Sequence, residues 1–136
     1  MVRPLSLFVS HGAPTILIEE CPARSFLAGL GKKLGRPEAI LAISAHWETT
    51  SPTLQWCGQP ETIHDFRGFP DELYTFVYGA KGSPELAART PALLFEHFDH
   101  VQREEARGYY HGAWVPLALM LALLHISEPT RQAEIS

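Results

Sequence analysis

Ala39-Ile40-Leu41-Ala42-Ile43-Ser44-Ala45-His46-Trp47 is an apolar run of strand-like composition that stops at a histidine. Leu5-Ser6-Leu7-Phe8-Val9-Ser10-His11-Gly12 stops in the same way. Between them, Pro22–Leu34 has helical spacing, with Phe26, Leu27, Leu30 and Leu34 on one side and Gly35 and Pro37 as a stop. The 35 positions from His11 to His46 suit one strand–helix–strand unit, which needs roughly 30 residues or more. If the two strands are parallel neighbours, both histidines lie at their carboxyl ends, the edge where open α/β sheets bind ligands. Two neutral imidazoles there can hold a metal.

Outward from this unit the chain keeps alternating. Thr53–Cys57 reads as a further strand, and Gly58–Pro70 as a loop carrying Thr62-Ile63-His64-Asp65-Phe66. Asp71–Tyr78 reads as a short helix running into extended chain. Ser83 suits an N-cap, Pro84 the first helical position and Glu85 the first turn of a helix over Pro84–His97. Leu86, Leu93, Leu94 and Phe98 are its expected core residues, and Pro91 implies a kink or an early end. His100–Glu104 reads as a strand, Gly108–Gly112 as a loop and Trp114–Ile126 as a buried helix. Ser127–Ser136 is polar and expected to fray. These elements point to an α/β fold.

Composition narrows the function. The chain has 136 residues, 46% hydrophobic and 19% charged, which suits one small globular domain with a core. A formal charge of -4 and no basic stripe argue against nucleic acid as a partner. There is no signal-peptide pattern at Met1-Val2-Arg3-Pro4, and no apolar stretch reaches the roughly 18 residues of a membrane span. Cys21 and Cys57 form no CxxC pair and suggest free thiols in a reducing, cytoplasmic compartment, with one disulfide between them as the alternative.

Seven histidines make placement informative. His11 and His46, taken singly, are equally well read as hydrogen-bonded turn residues; their matched positions favour metal ligation. His64 beside Asp65 suits proton transfer or support of a neighbouring group, or plain solvation. His111, in Tyr109-Tyr110-His111-Gly112, suits a proton donor near an aromatic substrate, or a surface loop. His97 and His100 are explained by a helix C-terminus, and His125 by the last helix. Three histidines, or two and a carboxylate, would suit Zn²⁺ hydrolysis or Fe²⁺ oxygen chemistry.

Five segments in order carry a family signal: Ser10-His11-Gly12-Ala13-Pro14, Ser44-Ala45-His46-Trp47, Thr62 to Pro70, Gly82 to Ala87, and His111-Gly112-Ala113-Trp114. Together they resemble the class III extradiol ring-cleavage dioxygenases, in the DOPA 4,5-dioxygenase-like branch of the LigB superfamily. The resemblance implies a three-layer α/β/α fold with a mostly parallel central sheet. It implies that His11 and His46 are metal ligands, that the ion is Fe²⁺ or Zn²⁺, one per site, and that His111 is a catalytic residue near substrate and dioxygen. His64 is implied as a second catalytic or pocket residue. The implied reaction opens a catecholic ring with O₂ next to the diol.

Two departures follow from the same resemblance. Tyr110 stands where the family usually has Asp. Family members are longer, and their remaining metal ligand lies in a carboxyl-terminal part. Residues 1–126 are therefore expected to be the N-terminal part of the catalytic domain, and 127–136 a divergent tail. Activity would be impaired or absent, and an uncovered sheet edge would favour self-association. The alternative is a non-catalytic metal- or small-molecule-binding remnant. A zinc hydrolase is disfavoured, because no HExxH helix is present.

Overall fold

The computed structural model describes residues 5–94, 96–121 and 131–135. A 3₁₀ turn at Pro14–Leu17 leads to helix α1 (Pro22–Leu34) and strand β1 (Ala39–Ile43). Strand β2 (Thr53–Gln55), a 3₁₀ helix at Asp71–Thr75, helix α2 (Pro84–Leu94) and strand β3 (Gln102–Glu104) follow. Helix α3 (His111–Met120) and strand β4 (Arg131–Ile135) complete the order. The strands form one sheet in the order β1-β4-β2-β3. β1 pairs with β4, and β2 with β3, in parallel. β2 meets β4 antiparallel, through Leu54 and Ile135. Helices with a mostly parallel sheet make this an α/β fold, as the alternation predicts.

Three local expectations are corrected. Leu5–Ser10 is not a strand, and Leu5, Leu7 and Phe8 are exposed. Composition sets only a tendency; a strand needs a ladder partner. The ladder beside β1 is instead supplied by β4, which matches all of Ala39–Ile43 to Arg131–Ile135. Arg131–Ile135, within the segment expected to fray, is thus a strand, because main-chain pairing does not require apolar side chains. β1 also lies at the sheet edge, with Leu41 and Ile43 exposed, rather than buried on both faces.

The helices follow their sequence signals more closely. α1 has the predicted bounds: Pro22 opens it, Lys32 and Lys33 sit favourably in its last turn, and Gly35 closes it. Its buried strip is narrow, however. Leu27 and Gly31 are buried, whereas Phe26 and Leu34 face outward. Gly31 lets α1 press against the end of α3: a Cβ there would lie 1.7 Å from the Met120 carbonyl oxygen. The Ser83 hydroxyl caps α2 as expected, accepting the Leu86 N–H at 3.2 Å. α2 passes Pro91 and ends at Leu94, short of His97. It buries Ala87 and Thr90, while Leu93 and Phe98 are exposed.

The main core gathers Leu27, Leu73, Tyr78, Tyr109, Trp114 and Val115. Tyr78 and Tyr109 meet edge-on at 5.4 Å. The Trp114 indole donates to the Ile63 carbonyl at 2.9 Å, tying α3 to the 58–70 loop. α3 begins three positions before the predicted Trp114, so His111 opens a helix rather than sitting in a loop. His125 lies outside the described residues.

The Gly31 contact can be tested by its sign. In an exposed helix interior, Gly→Ala stabilises by up to about 1 kcal/mol. Here overpacking opposes propensity and typically costs about 1–3 kcal/mol. Gly31→Ala should therefore lower the unfolding midpoint in urea, and an increase would show that α1 and α3 can part freely.

Candidate active site

Three imidazoles from distant parts of the chain meet at one point. His11 follows the first apolar segment, His46 follows β1, and His111 is the first residue of α3. Their ring centres are 4.1 Å apart for His46 and His111, 4.9 Å for His11 and His46, and 5.1 Å for His11 and His111. The Nε2 atoms of His11 and His46 are 2.9 Å apart. One ligand nitrogen from each ring falls within 4.8 Å of the others. Exposure is graded: His111 is buried, His11 half-buried and His46 exposed.

Local sequence explains the approach. Ser44 ends β1 with its hydroxyl accepting the His46 N–H at 3.2 Å, which turns the chain and presents the imidazole. The start of α3 then packs directly onto this turn. A Cβ on Gly112 would lie 2.2 Å from Ser44 Oγ and 2.8 Å from His46 Cδ2. Only glycine allows His111 so close to His46.

Asp65 organises His111. Its Oδ1 accepts the His111 backbone N–H at 2.9 Å, one of the donors left free at a helix start. Its Oδ2 lies 2.9 Å from His111 Nδ1. That second contact is off the ring N–H direction, so it is electrostatic more than an aligned hydrogen bond. The carboxylate beside His111 thus comes from the 58–70 loop. A parallel bridge between Thr62 and Tyr109 holds that loop in register, with Tyr109 N–H donating to Glu61 and Ile63 N–H to Tyr109.

His64 is not brought into the cluster. Its Nε2 donates to the Phe76 carbonyl at 2.9 Å, and its ring packs among Phe66, Tyr74 and Trp114. Asp65 points to His111 rather than to its neighbour His64. Sequence reading missed this pairing because the partners are 46 residues apart. Cys21 and Cys57 are free thiols.

The site fits a divalent metal. Burial pushes His11 below the ordinary imidazole value of 6.5, and the neighbouring His111 and His46 push the same way. The Gly12 backbone and the Asp65 carboxylate pull against them. A neutral ring keeps the lone pair that a metal needs. With bonds of about 2.0–2.1 Å, two nitrogens on one ion are separated by roughly 3–3.5 Å, and the His11–His46 spacing is close to that.

A family model described as the catalytic LigB subunit of aromatic ring-opening dioxygenase matches residues 7–136. The chain is 48% identical over 119 residues to a 4,5-DOPA dioxygenase extradiol of Beta vulgaris, covering 85% of this chain and 44% of that protein. It is 41% identical to the protein of that name from Escherichia coli K12, over 87% of this chain and 43% of that one. The crystal structure of an uncharacterized protein from Escherichia coli K12 superposes with a TM-score of 0.62 at 30% identity, over 88% of this chain and 41% of that one. The chain belongs to the LigB family, in its 4,5-DOPA dioxygenase-like branch. It spans less than half the length of these relatives.

The depressed His11 value sets a pH dependence. The unfolded chain takes up a proton near pH 6.5, whereas folded His11 resists it. Its stabilising contribution is present above that pH and is lost as the pH falls toward the lowered value. Metal-free protein should lose stability between pH 7.5 and 5.5, and His11→Gln should lose less, as measured by urea midpoints. An equal loss in both would remove His11 as a source of the slope.

Proposed function

We propose that this chain forms the histidine site of an extradiol dioxygenase that opens a catecholic ring with O₂. The observation that carries the proposal is the convergence of His11, His46 and His111 within 4.8 Å, with Asp65 on the last. In this reading residues 1–126 are the N-terminal part of the catalytic domain, and 127–136 a divergent end. His11 and His46 hold one Fe²⁺ or Zn²⁺. The ion, when bound, supplies a Lewis acid that lowers the pKa of the catechol hydroxyls and a place where diol and O₂ meet.

The remaining chemistry falls to this chain's own groups. Asp65 lies against Nδ1 of His111, so Nε2 is the atom that takes and returns a catechol proton. Asp65 also stabilises the imidazolium formed in that exchange. His64 is read as a residue that supports the pocket from behind, its ring held by the Phe76 carbonyl and packed on Trp114. The exposure of His46 supports substrate entry from its side. The similarity to proteins named for DOPA supports a catechol substrate of that kind.

The setting proposed is cytoplasmic, supported by the two free thiols. No helix among the described residues is long and apolar enough to cross a membrane. Self-association through the sheet edge is supported by exposed Leu41 and Ile43 on β1. A second reading is a metal-binding module without turnover, which the three-histidine cluster would also suit.

Anaerobic Fe²⁺ loading should give about one ion per chain by elemental analysis. His11→Ala and His46→Ala should each weaken binding by at least ~10-fold, the lower end for loss of a supporting group. The loaded chain should consume O₂ with a catechol and produce the absorbance of a ring-opened semialdehyde. Asp65→Asn should lower that rate by roughly 10- to 100-fold. Metal uptake without turnover would favour the binding module. Equal, negligible metal in all variants would overturn both readings.

A further inference from the structure

The arginine three residues before Tyr110 bridges the two chain segments that carry His46 and His111. The Arg107 guanidinium carbon lies 4.4 Å from the Tyr110 ring centre and 5.3 Å from that of Trp47. The two rings are themselves nearly parallel, 6.2 Å apart and tilted by 21°. Trp47 directly follows His46, and Tyr110 directly precedes His111. One cation thus rests on two aromatic faces, each one residue from a site histidine.

The main chain under this arginine is anchored. Gln55, fully buried on β2, donates from Nε2 to the Arg107 carbonyl at 3.1 Å. Two residues on, Tyr109 pairs through both its N–H and its carbonyl with the 58–70 loop. Between these anchors, a Cβ on Gly108 would lie 2.3 Å from the Glu61 carbonyl oxygen, so the strap is pressed flat onto that loop. Residues 107–110 therefore form a stiff lead into α3. The guanidinium is the part of that lead that reaches across to the segment after β1.

We propose that Arg107 is a positioning residue, whose stacking on Trp47 and Tyr110 sets the spacing of the His46 and His111 rings. Planarity matters as much as charge: a guanidinium covers aromatic faces, whereas a lysine ammonium is a point charge that solvates readily. The role in catalysis rests on the proposed reading that His46 and His111 serve one reacting centre. The spacing itself does not depend on that reading.

The test is made on the metal-free chain and then on Co²⁺. In the wild type, NMR should show a nuclear Overhauser contact between the His46 and His111 rings. Arg107→Met should remove or strongly weaken it, while Arg107→Lys recovers it in part, both with thermal midpoints near that of the wild type. Co²⁺ titration should then show a changed ligand-field spectrum and an affinity lower by on the order of 10-fold in Arg107→Met, the scale for loss of a supporting group. If Arg107→Met does not fold, Tyr110→Leu removes one stacking face and should weaken the same ring contact. A wild-type ring contact that persists in folded Arg107→Met, or in Tyr110→Leu, overturns the proposal. Absence of Co²⁺ binding by the wild type would instead count against the metal reading, with the ring contact still deciding the role of Arg107.

Discussion

The approach of α3 to the turn after β1 governs the site. It is a contact without slack: the space beside Gly112 is already filled by Ser44 Oγ and the His46 ring. Everything chemical is referred to it. His46 is presented by the Ser44 turn, His111 by the helix start, and His11 comes within 2.9 Å of His46 from a segment that has no ladder partner among the described residues. A protein interior is packed too densely for such a junction to drift by an ångström at little cost. Steric fit therefore brings the segments that carry His46 and His111 together before any ion is considered, and leaves the setting of the rings to the side chains beside them.

Asp65 shows a second layer of the same design. One carboxylate meets both the helix start and the ring at that start, with one oxygen for each. A group that caps the helix therefore also places a negative charge beside the ring it carries. The fold and the chemistry share a single side chain, so neither can be altered without the other.

Much of this was legible in the sequence, for identifiable reasons. α1 announced its bounds through Pro22 and Gly35, α2 its cap through Ser83, and β1 its place through an unbroken apolar run, because these are short-range signals. His11 and His46 were legible because each sits where an apolar run stops. The strand expected at Pro4–Ser10 is not formed over its described residues, Leu5–Ser10, because pairing is decided elsewhere in the chain, by Arg131–Ile135. The pairing of Asp65 with His111 was hidden for a similar reason. Its local neighbour His64 is the obvious partner, and only the bridge between Thr62 and Tyr109 turns the carboxylate toward α3. Burial was read least well: Phe26, Leu93 and Phe98 fit helical spacing yet face outward, since spacing defines a stripe but not what covers it.

The strand order has a kinetic consequence. β1 and β2 are near neighbours in the chain, but β4, far along it, lies between them in the sheet. No quick hairpin can nucleate this sheet. Its central ladder must wait for a large loop to close, which places the entropic barrier ahead of the contacts that repay it. During synthesis, the residues of β1 and β2 emerge from the ribosome well before their shared partner. Until it arrives, the side of β1 that β4 will occupy is open to other chains as well as its outer edge, and the time spent in that state adds to the hazard of misassembly.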